Sequence, residues 1–458
     1  MHCLAVFSFE FLCGSTIYLS LYIGSEIIYC FLMQKETLKY LFVQWRERPL
    51  PHCFKRDLQI PLDSGKIICL TGIRRTGKTF LLFEAMHRLL ANGVGRRRII
   101  YLNFEDDRLF PVAADQLDLI LLAHAELYPD VLNQTRYLFL DEVQAVPGWE
   151  RYVRRVYDTE DIQVFVTGSS SELLDRELAP ALRGRSVFFE VFPLSFREYL
   201  CFTGIKPQQY SRQSESKVIH ALEAYTQWGG LPELVLAEPA MRTLILQEYV
   251  SLLFYKDLVE RFDIRNEPIL RLLMKTSCSQ PASLLSPHKL YKDIKSMGFR
   301  TSKNTVYEYL HYLQEAHLLF ALPIYSQSVR KQEQNPKKYH LIDVGLVQAY
   351  RPDPSGDRGH KLENIVFLHE RRKKTQLSYF HNSHELDLIM VNQPLCYVNT
   401  TWSLASPVTF QRESEAMQFG KKTFPEGRGV LVCHEEQPAE RELPFQIIPA
   451  WKYLLDTK

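Results

Sequence analysis

The sequence predicts an α/β chain whose first half is built on a parallel sheet covered by helices. Three observations predict it. Between residues 66 and 191, short apolar runs alternate with helical stretches. Those runs are apolar at successive positions rather than at every second one, the pattern of strands buried on both faces. After a helical interval, strand and helix signals return from residue 339 to the end, which predicts a second, mixed α/β segment.

The elements follow in order. Residues 33–48 read as a helix, with Leu38, Leu41, Phe42 and Trp45 at spacings of three and four. A proline-containing link precedes the first strand, 66–71 (KIICLT). Further strands are expected at 98–104, 136–140, 162–167 and 186–191, with helices to about 92, over 114–128 and over 149–159. From about 194 the chain reads as helical, interrupted by Trp228-Gly229-Gly230-Leu231-Pro232-Glu233. Residues 267–322 read as three short helices and a strand. Ser286-Pro287 opens the second helix, Gly298 ends it, and Ser302 caps the third, whose inner face is Val306, Leu310 and Leu313. The polar run SQSVRKQEQNPKK reads as a linker or hairpin. YHLID, a helix over 360–373, SYF, ELDLIMV, LCYV, GVLVC and FQIIP complete the chain. The expected divisions are 1–32, 33–193, 194–266, 267–325 and 326–458.

Composition is that of a soluble globular protein: 46% hydrophobic and 24% charged residues over 458 positions. A formal net charge of +2 gives no global attraction to nucleic acid, so any basic patch is local. The nine cysteines include no pair at C-x-x-C spacing, which excludes a compact cysteine metal site and suits reduced thiols in the cytoplasm. Asn133 and Asn399 begin N-x-T sequons, which carry no weight without a secretory context. The first 32 residues contain no Lys or Arg, unlike a signal peptide, and Glu10 and Glu26 interrupt them as a membrane span. Met33 opens an ordinary amphipathic stretch. The expectation is that Met33 is the natural start and that 1–32 is a non-native extension; a weak membrane anchor is the rival reading, and no membrane partner is expected.

The chemistry concentrates at Gly72-Ile73-Arg74-Arg75-Thr76-Gly77-Lys78-Thr79, a G-x-x-x-x-G-K-T run between an apolar strand and an apolar helix. Glycines at those positions let the backbone wrap phosphate oxygens, and the helix N-terminus adds its positive end. Gly72, Arg74, Arg75, Thr76, Gly77, Lys78 and Thr79 are therefore the candidate nucleotide contacts. Lys78 supplies a charge to the β- and γ-phosphates, and the Thr79 hydroxyl is a magnesium ligand. The run Tyr137-Leu138-Phe139-Leu140-Asp141-Glu142 fits a buried strand ending in two acids. Asp141 is the second magnesium candidate, and Glu142 is the candidate base for the attacking water. The strand 162–167 leads into Thr167-Gly168-Ser169-Ser170-Ser171, which reads equally as a γ-phosphate contact through Ser169 and as a helix N-cap. Arg185, in Leu182-Arg183-Gly184-Arg185, reads either as an arginine finger toward a neighbouring subunit or as a surface arginine.

The order GIRRTGKT, LFLDEV, VTGSSS, LRGR and WGGLPE resembles the prokaryotic AAA+ ATPases that carry a C-terminal domain of unknown function. The similarity runs from about residue 33 to the end and takes in KLEN (361–364), ELDL (385–388) and IIPAWKYLL. The resemblance implies a P-loop AAA+ sheet, a helical lid over 194–266, ATP and Mg2+ as cofactors, homo-oligomers, and Arg185 acting in trans. It offers no second sensor arginine in the lid.

The segment 267–325 has the size of a winged helix-turn-helix. Lys289, Lys292, Lys295, Arg300 and Lys303 cluster about its turn, and the module reads either as a DNA contact or as a protein-docking module. In the last segment, Glu363 and Asp387 resemble metal ligands of the PD-(D/E)XK nuclease fold. The next strand, LCYVN, offers no Glu and no Lys, so a scaffold without nuclease chemistry is favoured and Asn399 is at best a neutral ligand. Three functions remain: an ATPase acting on DNA or a protein partner, a slow nucleotide-dependent switch in signalling or defence, and an ATP-gated metal nuclease. A GTPase is disfavoured, because no N-K-x-D motif is present.

Overall fold

The computed structural model describes residues 19–23, 26–30, 34–168, 182, 184–208, 211–351, 357–391, 394–434 and 443–456. Its chain falls into two compact units. One comprises Met1–Cys53, Gln59–Thr71 and Lys78–Glu190; the other comprises Phe54–Leu58, Gly72–Gly77 and Val191–Lys458. Ahead of the first helix, β1 (Leu19–Ile23) and β2 (Glu26–Cys30) pair antiparallel. No helix among the described residues is long and apolar enough to cross a membrane.

The first unit is organised on β3 (Ile67–Thr71), β4 (Ile99–Asn103), β5 (Arg136–Asp141), β6 (Ile162–Gly168) and β7 (Ser186–Glu190). The strands are all parallel, in the order β4-β5-β6-β3-β7. Every residue of β3 and β6 is buried, whereas no residue of the edge strand β7 is fully buried and Val187 is exposed. Full burial of successive residues requires cover on both faces, as the unbroken apolar runs implied. The helices Lys78–Ala91, Asp118–Leu127 and Trp149–Thr159 belong to this unit, and Leu38, Leu41 and Phe42 from the helix Lys35–Glu47 join its core. This is the helix-covered parallel sheet expected from the sequence. Its strands β3, β5 and β6 all end at the same side, where Lys78, Asp141 and Thr167 follow or close them.

The second unit begins with helices Phe196–Phe202, Arg212–Trp228 and Arg242–Leu252, the last continuing as a π-helix over Leu253–Glu260. Ser195 and Glu198 form a reciprocal capping box at the first of these. Helices Glu267–Ser279, Pro287–Ser296 and Lys303–Glu315 follow, with β8 (Ser283–Leu285), β9 (Leu319–Leu322) and β10 (Lys337–Leu341). Ser286 and Ser302 cap their helices as the sequence implied, and Val306, Leu310 and Leu313 are buried. β10 is the middle strand of an antiparallel sheet with β8 and β9 rather than a member of the closing sheet. The run read as a linker or hairpin holds a short helix, Val329–Gln334, whose first turn Ser328 caps. The closing mixed sheet has the order β11 (Leu377–His381), β12 (Glu385–Met390), β13 (Cys396–Thr401), β14 (Arg428–Cys433), β15 (Gln446–Pro449); β11–β13 run antiparallel and β13–β15 parallel.

Candidate nucleotide site

The loop backbone takes conformations that its sequence permits. Gly72 and Gly77 have φ of 145° and 93°, and Arg75 is left-handed at 62°. A Cβ on Gly72 would lie 2.3 Å from the Val191 carbonyl oxygen, so only glycine fits there. Thr76 is fully buried and donates to the Ile73 carbonyl at 2.9 Å, closing the turn. Arg56, which no motif singled out, braces the loop from below. Its guanidinium donates to the Thr76 carbonyl at 2.8 Å, to the Phe192 carbonyl at 2.8 Å and to Glu198 at 2.7 Å. Arg74 and Arg75 are both engaged elsewhere within the second unit. Arg74 pairs with Asp257 at 2.9 Å, and Arg75 pairs with Glu233 of the WGGLPE run at 2.7 Å. The Tyr249 hydroxyl donates to the Arg74 carbonyl at 2.9 Å.

In the first unit, Lys78, Thr79, Asp141 and Glu142 come together at the ends of β3 and β5. Lys78 is 4% exposed, and its ammonium lies 3.7 Å from a Glu142 carboxylate oxygen. Asp141 is completely buried. It accepts from Thr167, from the Tyr101 hydroxyl at 3.1 Å and from the Thr79 hydroxyl. Burial pushes its carboxyl above the usual carboxylate range, and the neighbouring Glu142 adds to that while the three hydroxyls oppose it. Glu142 is left-handed, at φ 54°, and its N–H donates to the Thr167 hydroxyl at 3.0 Å. Gln144 donates to the second Glu142 oxygen at 2.5 Å. A non-glycine residue in this conformation carries strain of order 1 kcal/mol, which the Thr167 contact offsets. Thr167 thus donates to one acid and accepts from the backbone of the other.

Ser169 lies outside the described residues, and Thr167 is the residue of that strand end that meets the acids. Arg185 sits elsewhere. Its carbonyl accepts from Ile67 at the start of β3, the end opposite the loop, and its side chain pairs with Asp158 at 2.8 Å. Tyr101 and Arg56 left no signal in the sequence, because neither belongs to a local spacing pattern.

The two acids noted in the last segment also meet, but around a lysine. The Lys338 ammonium, on β10, lies 2.5 Å from Glu363, 2.7 Å from Glu385 and 3.1 Å from Asp387. Burial alone would lower its pKa, but the three carboxylates outweigh that and hold it well above the ordinary lysine range. The same excess of negative charge, with burial first, raises Glu363. The lysine that β13 does not offer is present on β10 instead, where Lys338 lies among these carboxylates. Among the described residues no group of three or more His, Cys, Asp or Glu side chains has metal-holding geometry. The second Asp387 oxygen accepts from the Thr400 N–H at 2.8 Å and from its hydroxyl at 3.0 Å.

A family model described as an AAA domain matches residues 64–200, and one described as a domain of unknown function (DUF8612) matches residues 219–355. The uncharacterised protein MJ1544 of Methanocaldococcus jannaschii is 30% identical over 415 residues, covering 87% of this chain and 90% of that protein. An uncharacterised protein of Haemophilus influenzae is 27% identical over 329 residues, covering 71% of this chain and 80% of its own. Among solved structures, the Walker-type ATPase PABY2304 of Pyrococcus abyssi aligns with 62% of this chain and 91% of its own, at 13% identity and a TM-score of 0.40. The Aeropyrum pernix Orc1 protein in complex with DNA aligns with 71% of this chain and 93% of its own, at 14% identity and a TM-score of 0.31.

Proposed function

The chain belongs to the family of the Methanocaldococcus jannaschii protein MJ1544, and from that premise we propose that it is a magnesium-dependent ATPase of the AAA+ type. The observation that carries this reading is the set of four residues at the ends of β3 and β5. A buried lysine faces one carboxylate, and a buried carboxylate faces a threonine hydroxyl. That donor set fits a Mg2+ ion, which needs few protein oxygens when phosphates supply the rest. Thr79 and Asp141 would hold it, and when bound it neutralises charge on the phosphates. Lys78 binds the triphosphate, exchanging its Glu142 partner for a phosphate oxygen. Glu142, fixed through its own N–H to Thr167, then orients the water and accepts its proton.

Two substitutions test the assignment. Lys78→Ala is expected to abolish nucleotide binding in calorimetry with Mg-ATP. Glu142→Gln is expected to bind ATP near normally while turnover falls by about 100-fold or more. Normal turnover in Glu142→Gln would remove that residue from the role of base.

We further propose that the three-helix module contacts duplex DNA. Lys289, Lys292, Lys295, Arg300 and Lys303 are all exposed around the turn that Gly298 closes, and none is in an ion pair among the described residues. Lysines so placed bind phosphates and release counter-ions. Replacing two of them with Ala should weaken DNA binding and lower the slope of log affinity against log salt by about one to two. An unchanged slope would leave docking to a protein as the module's role.

A further inference from the structure

Trp228 of the WGGLPE run and Lys361 of the KLEN run have no part in the nucleotide site proposed above, yet both line a cavity of about 440 Å³ in the second unit. Trp228 and Arg242 line one side of it. Arg358 and Lys361, from the first turn of the helix Arg358–Arg372, line another, with Trp402 beside them. We propose that this cavity binds a small phosphorylated molecule.

Lys361 carries most of the argument. It is 1% exposed and lines the cavity, yet it has no hydrogen bond or ion pair among the described residues. An ammonium removed from water with no directly paired carboxylate costs several kcal/mol. Two acids, Asp357 and Asp343, act on it through charge alone, and both are engaged elsewhere. Asp343 accepts from the Gly230 and Gly345 N–H groups, each at 2.7 Å, and Asp357 pairs with Arg351. The cost is visible in Lys361 itself, whose pKa burial lowers to about 8, with Arg358 adding to the fall while Asp357 and Asp343 oppose it.

Three further features act in the same direction. Arg358 and Arg242 have no ion pair among the described residues; their guanidiniums lie 5.3 Å and 5.8 Å from the ring centres of Trp402 and Trp228. The first turn of the helix holds Arg358, His360 and Lys361 and no acid, and the N-cap residue, Asp357, turns its carboxylate to Arg351 and His360 and caps no backbone N–H of the turn. Cations at that end oppose the helix dipole, and three of them against the single Asp357 carboxylate leave the turn suited to a further anion. Only Glu223 among the lining residues is acidic, against three cations, and it lies 3.4 Å from His220 and 4.0 Å from His434. Two guanidinium forks and an ammonium favour phosphate over a lone carboxylate, and the volume suits a molecule larger than the phosphate group itself.

The test is calorimetry on the full chain carrying Lys78→Ala, which separates this cavity from the phosphate loop. Inorganic phosphate, pyrophosphate and ribose 5-phosphate are the probes, with citrate as a carboxylate of similar size. Binding of at least one phosphate probe is expected, with citrate weaker by about tenfold. Lys361→Met, which keeps the buried volume and removes the charge, should weaken that probe by at least about tenfold. Arg358→Gln, at an exposed position, should weaken it as well and serves if Lys361→Met fails to fold. No heat with any phosphate probe, equal binding of citrate, or affinity unchanged in both variants would overturn the proposal.

Discussion

Thr167 shows how much one hydroxyl does at the ends of the central strands. It donates to Asp141 and accepts from the N–H of Glu142, so the two acids hold their separate orientations through a single side chain. Valine has nearly the same shape and neither bond. Thr167→Val would leave a fully buried carboxylate short of a donor and a buried N–H without its acceptor, while Lys78 and the loop glycines stay as they are. The expected outcome is selective. ATP turnover falls by about 10- to 100-fold, equivalent to about 1.4–2.7 kcal/mol of lost transition-state stabilisation, and the dissociation constant for ATP shifts by less than about threefold. Steady-state rates alongside equilibrium titration separate the two. A parallel loss of binding would assign Thr167 to shaping the loop instead.

At the scale of elements, Lys338 ties three pieces of the second unit together. It stands on β10, Glu363 on the helix Arg358–Arg372, and Glu385 and Asp387 on β12. Removing one partner of a buried cluster leaves the others uncompensated, so Lys338→Met should cost about 3–5 kcal/mol in urea unfolding at neutral pH. A cost below about 1 kcal/mol would show that the carboxylates take up protons and need no cation. This cluster also marks where sequence reading stops. The phosphate loop, the acid-tipped strand and the caps at Ser286 and Ser302 are local patterns, each legible within about ten residues because the chemistry itself fixes the spacing. Lys338 lies 49 positions from Asp387, and Arg56 lies 142 from Glu198; only the strand pairing and helix packing bring them together. The helix Val329–Gln334 escaped for a different reason: none of its residues is buried, so it has no apolar period to read. Glu363 and Asp387 were visible as acids, but nothing nearby announced that their cation would come from another sheet.

Across the whole molecule, Arg185 poses the question of how many chains make one site. The structure puts it at the start of β3, five residues of strand from the loop end, a separation of about 16 Å along the sheet. An arginine there does not reach the phosphates held by its own chain. Its present partner is weakly held: Arg185 and Asp158 are about one-third exposed, and solvent screens an ion pair of that kind. Releasing the guanidinium to a neighbouring subunit therefore costs little. If Arg185 completes the site of the next subunit, Lys78→Ala chains keep a working arginine and Arg185→Ala chains keep a working loop. Each variant alone should hydrolyse ATP at under about 5% of the normal rate. An equal mixture should regain activity, because some neighbouring pairs then combine the intact loop of one chain with the intact arginine of the other. The recovered rate should rise with protein concentration as subunits associate. A mixture no more active than the mean of its components, or an Arg185→Ala protein with normal turnover, would return Arg185 to its pairing with Asp158 as its whole role.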